Sequence, residues 1–381
     1  MNFQHIFFQH LGVAVQWSAF ASDACTLPDE WHAVLHMHPR RDGFEPQYRR
    51  LLHAERELLA LPAFSGATVV MRRYFLSDST NQQPLVERED AAALDRIQQP
   101  PLDGAKIAAW LYLQRGVTLE PEPGGVAARR EHYRHLWYIG KVSTQGDSGE
   151  QTSLLLADYV NTLASQNATL AGNCLRTWFF VRDVDTNYAP LVRARRHFFA
   201  ACGLTPATHY IASTGIGGQP SCTAALVQLS AYALMGHVPE QVWHLHAPEY
   251  LNPTHEYGVT FERATAVQYA DRRHVIVSGT ASIDRHGVVV HPGDVELQTR
   301  RMWENVEALL HEAQMGFGDV AQSIVYLRDA ADYPLVAAMF RERFPDMPVL
   351  FVHAPVCRPA WLIEMECMAI APIADTRYAP F

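Results

Sequence analysis

Two glutamates near the end of the chain stand in an apolar run that predicts a β-strand. Glu364 and Glu366 are separated by one residue, so a strand places both on one face. Carboxylates among Trp361–Met368 do not fit a plain core, and such local inconsistencies often mark functional sites. Apolar surroundings and a neighbouring carboxylate both raise a carboxyl pKa, which would let Glu364 act as a general acid near neutral pH. The alternative is a solvated face of an edge strand.

Other familiar site types find less support. The pairs His36 with His38 and His244 with His246 could each present two imidazoles on one side of a strand, but neither has a third ligand at a useful spacing. With 19 histidines in the chain, structural or surface roles are the simpler interpretation, so we predict no metal site. The glycine-rich segment Ser213–Gly218 lacks the Lys-Ser/Thr of a P-loop and a dinucleotide fingerprint. It is either a tight turn or a backbone-NH nest for a carboxylate.

Composition narrows the class of protein. A chain of 381 residues with 48% hydrophobic and 19% charged residues indicates a folded protein with more than one module. The net charge of −9 argues against a nucleic-acid partner, and no apolar run approaches the roughly 20 residues that span a bilayer. Six scattered cysteines favour a reducing compartment. The first lysine or arginine is Arg40, so the basic start of a secretion signal is missing and we expect a cytoplasmic protein.

An internal repeat predicts the architecture. Residues 177–192 (TWFFVRDVDTNYAPLV) resemble residues 323–336 (SIVYLRDAADYPLV), and residues 134–149 resemble residues 272–287. Strands that alternate with helices predict an α+β fold of two tandem modules, each a mixed sheet with helices on one face. We therefore expect an N-terminal elaboration over residues 1–130, a first module with its linker over 131–250 and a second module over 251–381.

Hydrophobic periodicity predicts individual helices. The second module has its clearest helix over Glu296–Gln314, and Ser153–Gln166 plays that part in the first. Further helices are predicted over Gln47–Ala60, Ala91–Ile97 and Ala224–Met235.

These segments resemble known families. Residues 272–371, with VSGTASID, the long helix, IVYLRDAADY and LIEMECMAI, resemble the reactive-intermediate deaminase (YjgF-like) superfamily. The double module, together with HYIASTGIGG (residues 209–218) and LNPTHEYGVTFERA (residues 251–264), resembles the chorismatases, including 3-hydroxybenzoate synthases, over most of residues 130–371. One departure concerns the deaminases, which hold the substrate carboxylate with an arginine. That position falls at about Val349, which puts imine hydrolysis in doubt.

The chorismatase resemblance implies an enzyme that needs no cofactor and takes chorismate as its small-molecule substrate. Its products would be pyruvate and 3-hydroxybenzoate, with or without 4-hydroxybenzoate. By motif position Glu364 matches the catalytic acid of the family. Cys357 matches the cysteine of the branch that forms 3-hydroxybenzoate, so the resemblance implies that it determines which product forms. The candidates for substrate binding are Arg176, Arg263, Tyr210, Thr214, Gly215, Tyr257 and Glu366. Tyr188 has a counterpart, Tyr333, in the repeat, so we expect it to have a packing role rather than a catalytic one.

Three alternatives stay open at this stage. A smaller residue at position 357 characterises the branch that hydrolyses chorismate to a dihydroxycyclohexadiene carboxylate. An imine or enamine deaminase would release ammonia. A catalytically silent module would bind an aromatic acid or a partner protein without turnover. Two modules in one chain could close an interface internally, so we expect a monomer or a weak oligomer.

Overall fold

A computed structural model describes residues 1–22, 27–87 and 90–381. Within these ranges the strands form three six-stranded mixed sheets. The first sheet contains β1 (Asn2–Phe8), β2 (Val13–Phe20), β3 (Glu30–Met37), β4 (Ala67–Leu76), β5 (Ala93–Gln98) and β6 (Ile107–Arg115). The second contains β7 (Thr118–Glu122), β8 (Gly125–Arg130), β9 (Tyr133–Val142), β10 (Cys174–Val181), β11 (Ala212–Gly217) and β12 (Val227–Met235). The third contains β13 (Val242–Leu245), β14 (Ala264–Gln268), β15 (Arg272–Ala281), β16 (Val320–Leu327), β17 (Val349–His353) and β18 (Ile363–Pro372).

The helices connect strands within each sheet. They are α1 (Phe44–Leu59), α2 (Ser79–Gln82), α3 (Ser148–Ala164), α4 (Leu170–Asn173), α5 (Val184–Ala201), α6 (Val295–Glu312) and α7 (Tyr333–Arg343). The predicted long helices correspond to α1, α3 and α6. Asp147 and Asp294 are the N-cap residues of α3 and α6. Their side chains accept hydrogen bonds from backbone N–H groups of the first turn, which have no partner within the helix. In the described ranges, no helix is long and apolar enough to cross a membrane.

All three sheets have the same strand order. It runs β1-β2-β3-β6-β4-β5 in the first sheet, β7-β8-β9-β12-β10-β11 in the second and β13-β14-β15-β18-β16-β17 in the third. The α+β class and the two expected modules are confirmed. The described part of the N-terminal segment forms a further module of the same kind, and β7 and β8 at its end pair into the second sheet. We refer to these as the first, second and third modules.

Two predicted helices are wrong. Residues 93–98 and 227–235 are the strands β5 and β12. Strand β12 lies between β9 and β10 and is buried along nearly its whole length. A central strand that is covered on both faces need not alternate apolar with solvated residues, so periodicity cannot distinguish it from a buried helix.

The modules meet in a cyclic arrangement. Strand β5 packs beside β9, β11 beside β15, and β17 beside β3, so the same pair of positions forms each junction. Backbone hydrogen bonds close the ring: Gln98 and Gln219 bond reciprocally at 3.1 Å, Leu102 donates to Phe351 at 3.1 Å, and Gly217 donates to the Pro355 carbonyl at 2.9 Å. The largest apolar cluster takes residues from all three sheets. Each module therefore supplies one wall of two clefts.

A buried charge cluster joins the first and third modules. Arg272 has no exposed side-chain surface and contacts Glu30 at 2.9 Å and Asp29 at 2.7 Å. His274 also contacts Glu30, at 3.0 Å. Burial alone would raise the pKa of Glu30, but His274 and Arg272 hold it below its usual range. Arg272 and His274 therefore compensate the cost of burying the Glu30 carboxylate.

Replacing Arg272 with methionine should destabilise the protein by about 3–5 kcal/mol, because Glu30 then remains fully buried without a guanidinium partner and Asp29 keeps only Arg130. Urea unfolding monitored by circular dichroism measures the change. The matched control is Arg300→Met, which breaks an exposed pair with Glu296 and should cost about 0.5 kcal/mol or less. Equal effects of the two substitutions would contradict this role of Arg272.

Candidate active site

A cavity lies at the junction of the second and third modules. The second module contributes β11 and α5, and the third contributes β15, β18 and the segment before β18. Its free volume is about 30 Å³, enough for one or two water molecules, so a ring-sized ligand must displace part of the wall. The cavity is lined by Tyr188, Arg195, Ser213, Gly215, Tyr257, Val259, Phe261, Arg263, Gly279, Ala281, Ile283, Cys357, Arg358, Trp361 and Glu364.

Glu364 supplies the carboxyl group of this cavity. It lies on β18, which is a central strand between β15 and β16, so the expected alternative of a solvated edge strand is wrong. Only 4% of Glu364 is exposed. Burial raises the pKa of Glu364 to about 8, the charge of Glu366 adds to the increase, and Arg176 and Arg263 oppose it. The carboxyl group is therefore predominantly protonated at neutral pH.

Glu366 lies behind Glu364 and is held as a fixed negative charge. Its carboxylate contacts Arg176 at 2.8 Å and accepts hydrogen bonds from Thr214 at 2.6 Å and from the Trp178 indole at 2.8 Å. All three donors come from the second module. Opposite charge and three donors compensate the cost of burying Glu366, whereas Glu364 has no equivalent partners within the described residues.

The backbone of β15 gives the Glu364 carboxyl group its space. A Cβ atom on Gly279 would lie 2.2 Å from Glu364 Oε1 and 3.2 Å from Thr214 Oγ1. The Gly279 amide donates to Thr214 Oγ1 at 3.0 Å. Glycine is therefore needed here for the close approach of a side chain, because any larger residue would displace the acid.

Three guanidinium groups surround the acid. Arg195 is 1% exposed, and its buried Nη2 atom has no hydrogen-bond partner among the residues that the structure describes. Arg263 donates to the backbone and side-chain oxygens of Asn252, and Arg358 donates to the Tyr257 carbonyl at 3.3 Å. Across the part of the chain that the structure describes, no carboxylate forms an ion pair with any of these arginines. The cavity therefore carries uncompensated positive charge and is suited to an anion.

Cys357 faces the same space. Burial, followed by the charge of Glu364, raises the pKa of the Cys357 thiol to about 12. Tyr188 and Arg195 lie close enough to influence its ionisation. A neutral thiol is a poor nucleophile, so Cys357 can define the shape of the cavity but is not activated for attack.

The structure brings most of the predicted site residues together. Glu364, Cys357, Arg263, Gly215 and Tyr257 line the cavity, and so does Tyr188.

The other four predicted site residues, Arg176, Thr214, Glu366 and Tyr210, do not line the cavity. Arg176 and Thr214 bind Glu366 rather than facing the space, because the second carboxylate needs them as partners. Neither the tight turn nor the backbone-NH nest expected for Ser213–Gly218 is formed, since residues 212–217 form β11 and pair with β10. Tyr210 lies in a neighbouring surface cleft, where its amide donates to Glu262 at 2.6 Å.

Sequence reasoning missed Arg195, Arg358 and Trp361. Arg195 follows Tyr188 by seven residues on α5, a spacing that places both on one helix face. The signal is weak, because Arg193 and Arg196 stand beside it. Arg358 follows Cys357 directly and could have been taken as a candidate for that reason.

Comparisons with known proteins give the following results. The family model described as Endoribonuclease L-PSP matches residues 262–371, which contain β14 to β18. The 3-aminoacrylate deaminase RutC of Acinetobacter baylyi (strain ATCC 33305 / BD413 / ADP1) is 36% identical over 97 residues, which are 25% of this chain and 77% of that protein. A crystal structure of a chorismatase aligns with a TM-score of 0.66 at 24% identity, over 81% of this chain and 96% of the other. The last result shows a shared fold of nearly full length.

Replacing Glu364 with glutamine should remove a pH-dependent loss of stability. The folded protein retains a proton on Glu364 up to a pH of about 8, whereas an unfolded carboxyl group releases it near 4.5. The contribution of Glu364 is therefore complete below the lower pKa and is lost as the pH rises through the higher one, by about 1.4 kcal/mol for each pH unit between them. Urea unfolding at about pH 5 and about pH 9 should show a stability gain for Glu364→Gln at the higher pH only.

The control for this titration is Glu296→Gln, whose side chain is 47% exposed. Its stability difference from the wild type should be the same at both pH values. A difference for Glu364→Gln that is also independent of pH would show that Glu364 has an ordinary pKa.

Proposed function

Because this chain belongs through its third module to the family described as Endoribonuclease L-PSP, and shares its fold with a chorismatase, we propose that it is a chorismatase. The proposed reaction converts chorismate to pyruvate and 3-hydroxybenzoate, alone or together with 4-hydroxybenzoate. Glu364 is the proposed general acid.

The observation that carries this proposal is the charge pattern of the cavity. A buried acid that stays protonated at neutral pH faces three arginines, none of which has a carboxylate partner among the described residues. Chorismate is a dianion with a non-aromatic ring and an enol ether. Two carboxylates would compensate the guanidinium charges, with Arg195 and Arg263 as the most buried donors. The protonated acid would remain free for chemistry.

The proposed first step is a proton transfer from Glu364 to the terminal methylene of the enol ether. The methylene becomes a methyl group and an oxocarbenium ion forms, which weakens the bond between the ether oxygen and the ring. Internal attack by the ring hydroxyl oxygen on the carbon that carries the ether displaces pyruvate and gives a protonated epoxide. The bond from this oxygen to its original carbon then breaks, and the carbon that carried the ether loses its proton to the Glu364 carboxylate, which gives the aromatic acid and restores the protonated Glu364. The atoms of chorismate are divided between the two products and no water is consumed. General acid catalysis of this kind contributes about 10²- to 10⁴-fold in rate.

Cys357 would decide which nucleophile reaches the ring. Its side chain is half-buried at the cavity wall and carries no charge at neutral pH. A thiol in this position excludes water better than a smaller residue, so internal attack would outrun hydrolysis. A smaller side chain would leave room for a water molecule and favour the dihydroxycyclohexadiene carboxylate.

A second candidate is an imine deaminase, which the identity with the RutC protein favours. The arginine position of those enzymes falls at Val349, the first residue of β17. The register of the parallel strand pairs makes Ser213 the equivalent residue of the second module, and Ser213 lines the same cavity as Glu364. Neither residue can hold a carboxylate by charge. Ammonia release from an imine substrate would identify this activity.

We also infer where and in what form the protein works. The five cysteines in the described ranges are free thiols, which is compatible with the cytoplasm, and Cys25 lies outside those ranges. Three modules close the cyclic arrangement within one chain, so a monomer already contains the complete cavity.

Incubation of the purified protein with chorismate should release pyruvate in an amount equal to the sum of 3-hydroxybenzoate and any 4-hydroxybenzoate, measured by liquid chromatography with mass detection. Glu364→Gln should lower kcat/KM by about 10²- to 10⁴-fold. The wild-type kcat/KM should fall above pH 8, because the acid is then ionised. Glu296→Gln is the matched control and should retain full activity. Absence of pyruvate from the wild-type reaction would rule out this function.

Replacing Cys357 with alanine should change the products more than the total rate. The smaller side chain admits water, so the diene diol should increase at the expense of 3-hydroxybenzoate while pyruvate release continues. Cys202→Ala, at the end of α5 and outside the cavity, is the matched control. An unchanged product ratio for Cys357→Ala would refute the steering role.

A further inference from the structure

A second open cleft lies at the junction of the third and first modules. Its volume is about 630 Å³, much larger than that of the candidate active site. The third module contributes Tyr333, Arg341 and Phe351, and the first contributes strand β3 and the loop before β6. The size is that of a typical small-molecule site.

Strand register makes this cleft the counterpart of the candidate active site. Val349 pairs with Ser323 as Ser213 pairs with Thr177, and Phe351 pairs with Val325 as Gly215 pairs with Phe179. These pairs occupy equivalent positions of the sequence repeat at residues 177–192 and 323–336. Tyr333 corresponds to Tyr188 in the same repeat. One wall of the second cleft is therefore built from the positions that form one wall of the first.

The opposite wall follows the same rule. Ala281 pairs with Glu364 in the third module, and the register that pairs Leu35 with Ala109 places His36 opposite Ala108 in the first. His36 and His38 therefore replace Ala281 and Ile283. Ala108 stands where the active site has Glu364. The second cleft keeps the geometry of a binding site without the acid, so it is suited to binding rather than to proton transfer.

The junction of the first and second modules shows what happens when such a cleft is closed. Asp95, the counterpart of Thr214, accepts hydrogen bonds from Gln228 at 2.9 Å and Ser230 at 3.0 Å, and pairs with Arg73 at 2.8 Å. Arg73 and Asp95 have no exposed side-chain surface. A polar network thus fills that junction, whereas the second cleft remains open.

The lining chemistry of the second cleft indicates its ligand. Arg341 is exposed and forms no ion pair with any residue in the described part of the chain. Burial and the charge of Asp103 raise the pKa of Tyr333, while Arg341 opposes this increase, so both charges act near the Tyr333 hydroxyl. Phe7 is 48% exposed and packs against the ring of His38 at 4.8 Å. An exposed aromatic surface beside a free guanidinium fits a ring that carries a carboxylate.

We propose that this second cleft binds a small aromatic carboxylate without converting it. The carboxylate contacts Arg341, and the ring lies against Phe7 and Tyr333. His36 and Asp103 contact the opposite edge of the ring, where a hydroxyl substituent can bond to either. This binding site is distinct from the candidate active site and does not depend on the proposed reaction.

Histidine NMR signals test the proposal directly. His36 and His38 line the second cleft, whereas the candidate active site has no histidine among its described lining residues. Titration of protein that carries ¹³C-labelled histidine with benzoate should shift both signals saturably, with assignments from His36→Gln and His38→Gln. Benzyl alcohol, which has the ring but not the carboxylate, should produce a much weaker response.

Arg341→Ala should weaken benzoate binding about tenfold, because the charged donor is lost. Arg300→Ala, which removes an exposed arginine on α6, is the matched control and should bind as the wild type does. The proposal is overturned if benzoate leaves the His36 and His38 signals unchanged, if benzyl alcohol binds equally well, or if Arg341→Ala keeps the wild-type affinity. The titration involves no turnover, so its outcome is independent of whether chorismate is a substrate.

Discussion

Two carboxylates on one face of a buried strand cannot both be ionised without a large energetic cost, and this constraint governs the site. The second module resolves it by compensating only Glu366, through Arg176, Thr214 and Trp178. Glu364 then keeps its proton, because burial and the adjacent charge both oppose ionisation. The acid of the third module is thus set by donors from its neighbour, and neither module alone contains the site.

The cyclic arrangement of three similar modules explains why the junctions differ. Each junction brings equivalent strands of two modules together, and the side chains on those strands determine what the junction can do. At one junction, the charge of Glu366 helps to keep Glu364 protonated, so Glu364 can act as a proton donor. The network around Asp95 fills another, and the third remains open with His36 and His38 on its wall. Tandem repetition within one chain permits this divergence, because each copy can change independently.

Much of this could be predicted from the sequence, since the repeat around Arg182–Asp183 and Arg328–Asp329 identified two modules and the spacing of Glu364 and Glu366 identified the acids. The first module escaped notice because its strand β4 ends at Leu76 and is followed by Ser77 and Asp78, so the arginine of the repeat is absent. Strand β12 was predicted as a helix because burial on both faces removes its periodicity. The sequence does not reveal which arginines face the cavity, because this depends on contacts between modules. Arg176 is predicted to bind the substrate but binds Glu366 instead, and Arg195, which lines the cavity, is not predicted.

The most direct test of the central claim is the origin of the hydrogen added to the enolpyruvyl group. Chorismate is incubated with the protein in D₂O, and the pyruvate is reduced at once by lactate dehydrogenase with NADH so that its methyl group cannot exchange. If Glu364 protonates the methylene, its exchangeable proton is a deuteron, so mass spectrometry should find one deuterium in the methyl group of each lactate, and Glu364→Gln should form this lactate about 10²- to 10⁴-fold more slowly. Lactate without deuterium in its methyl group, or no lactate at all, would contradict the proposed acid catalysis.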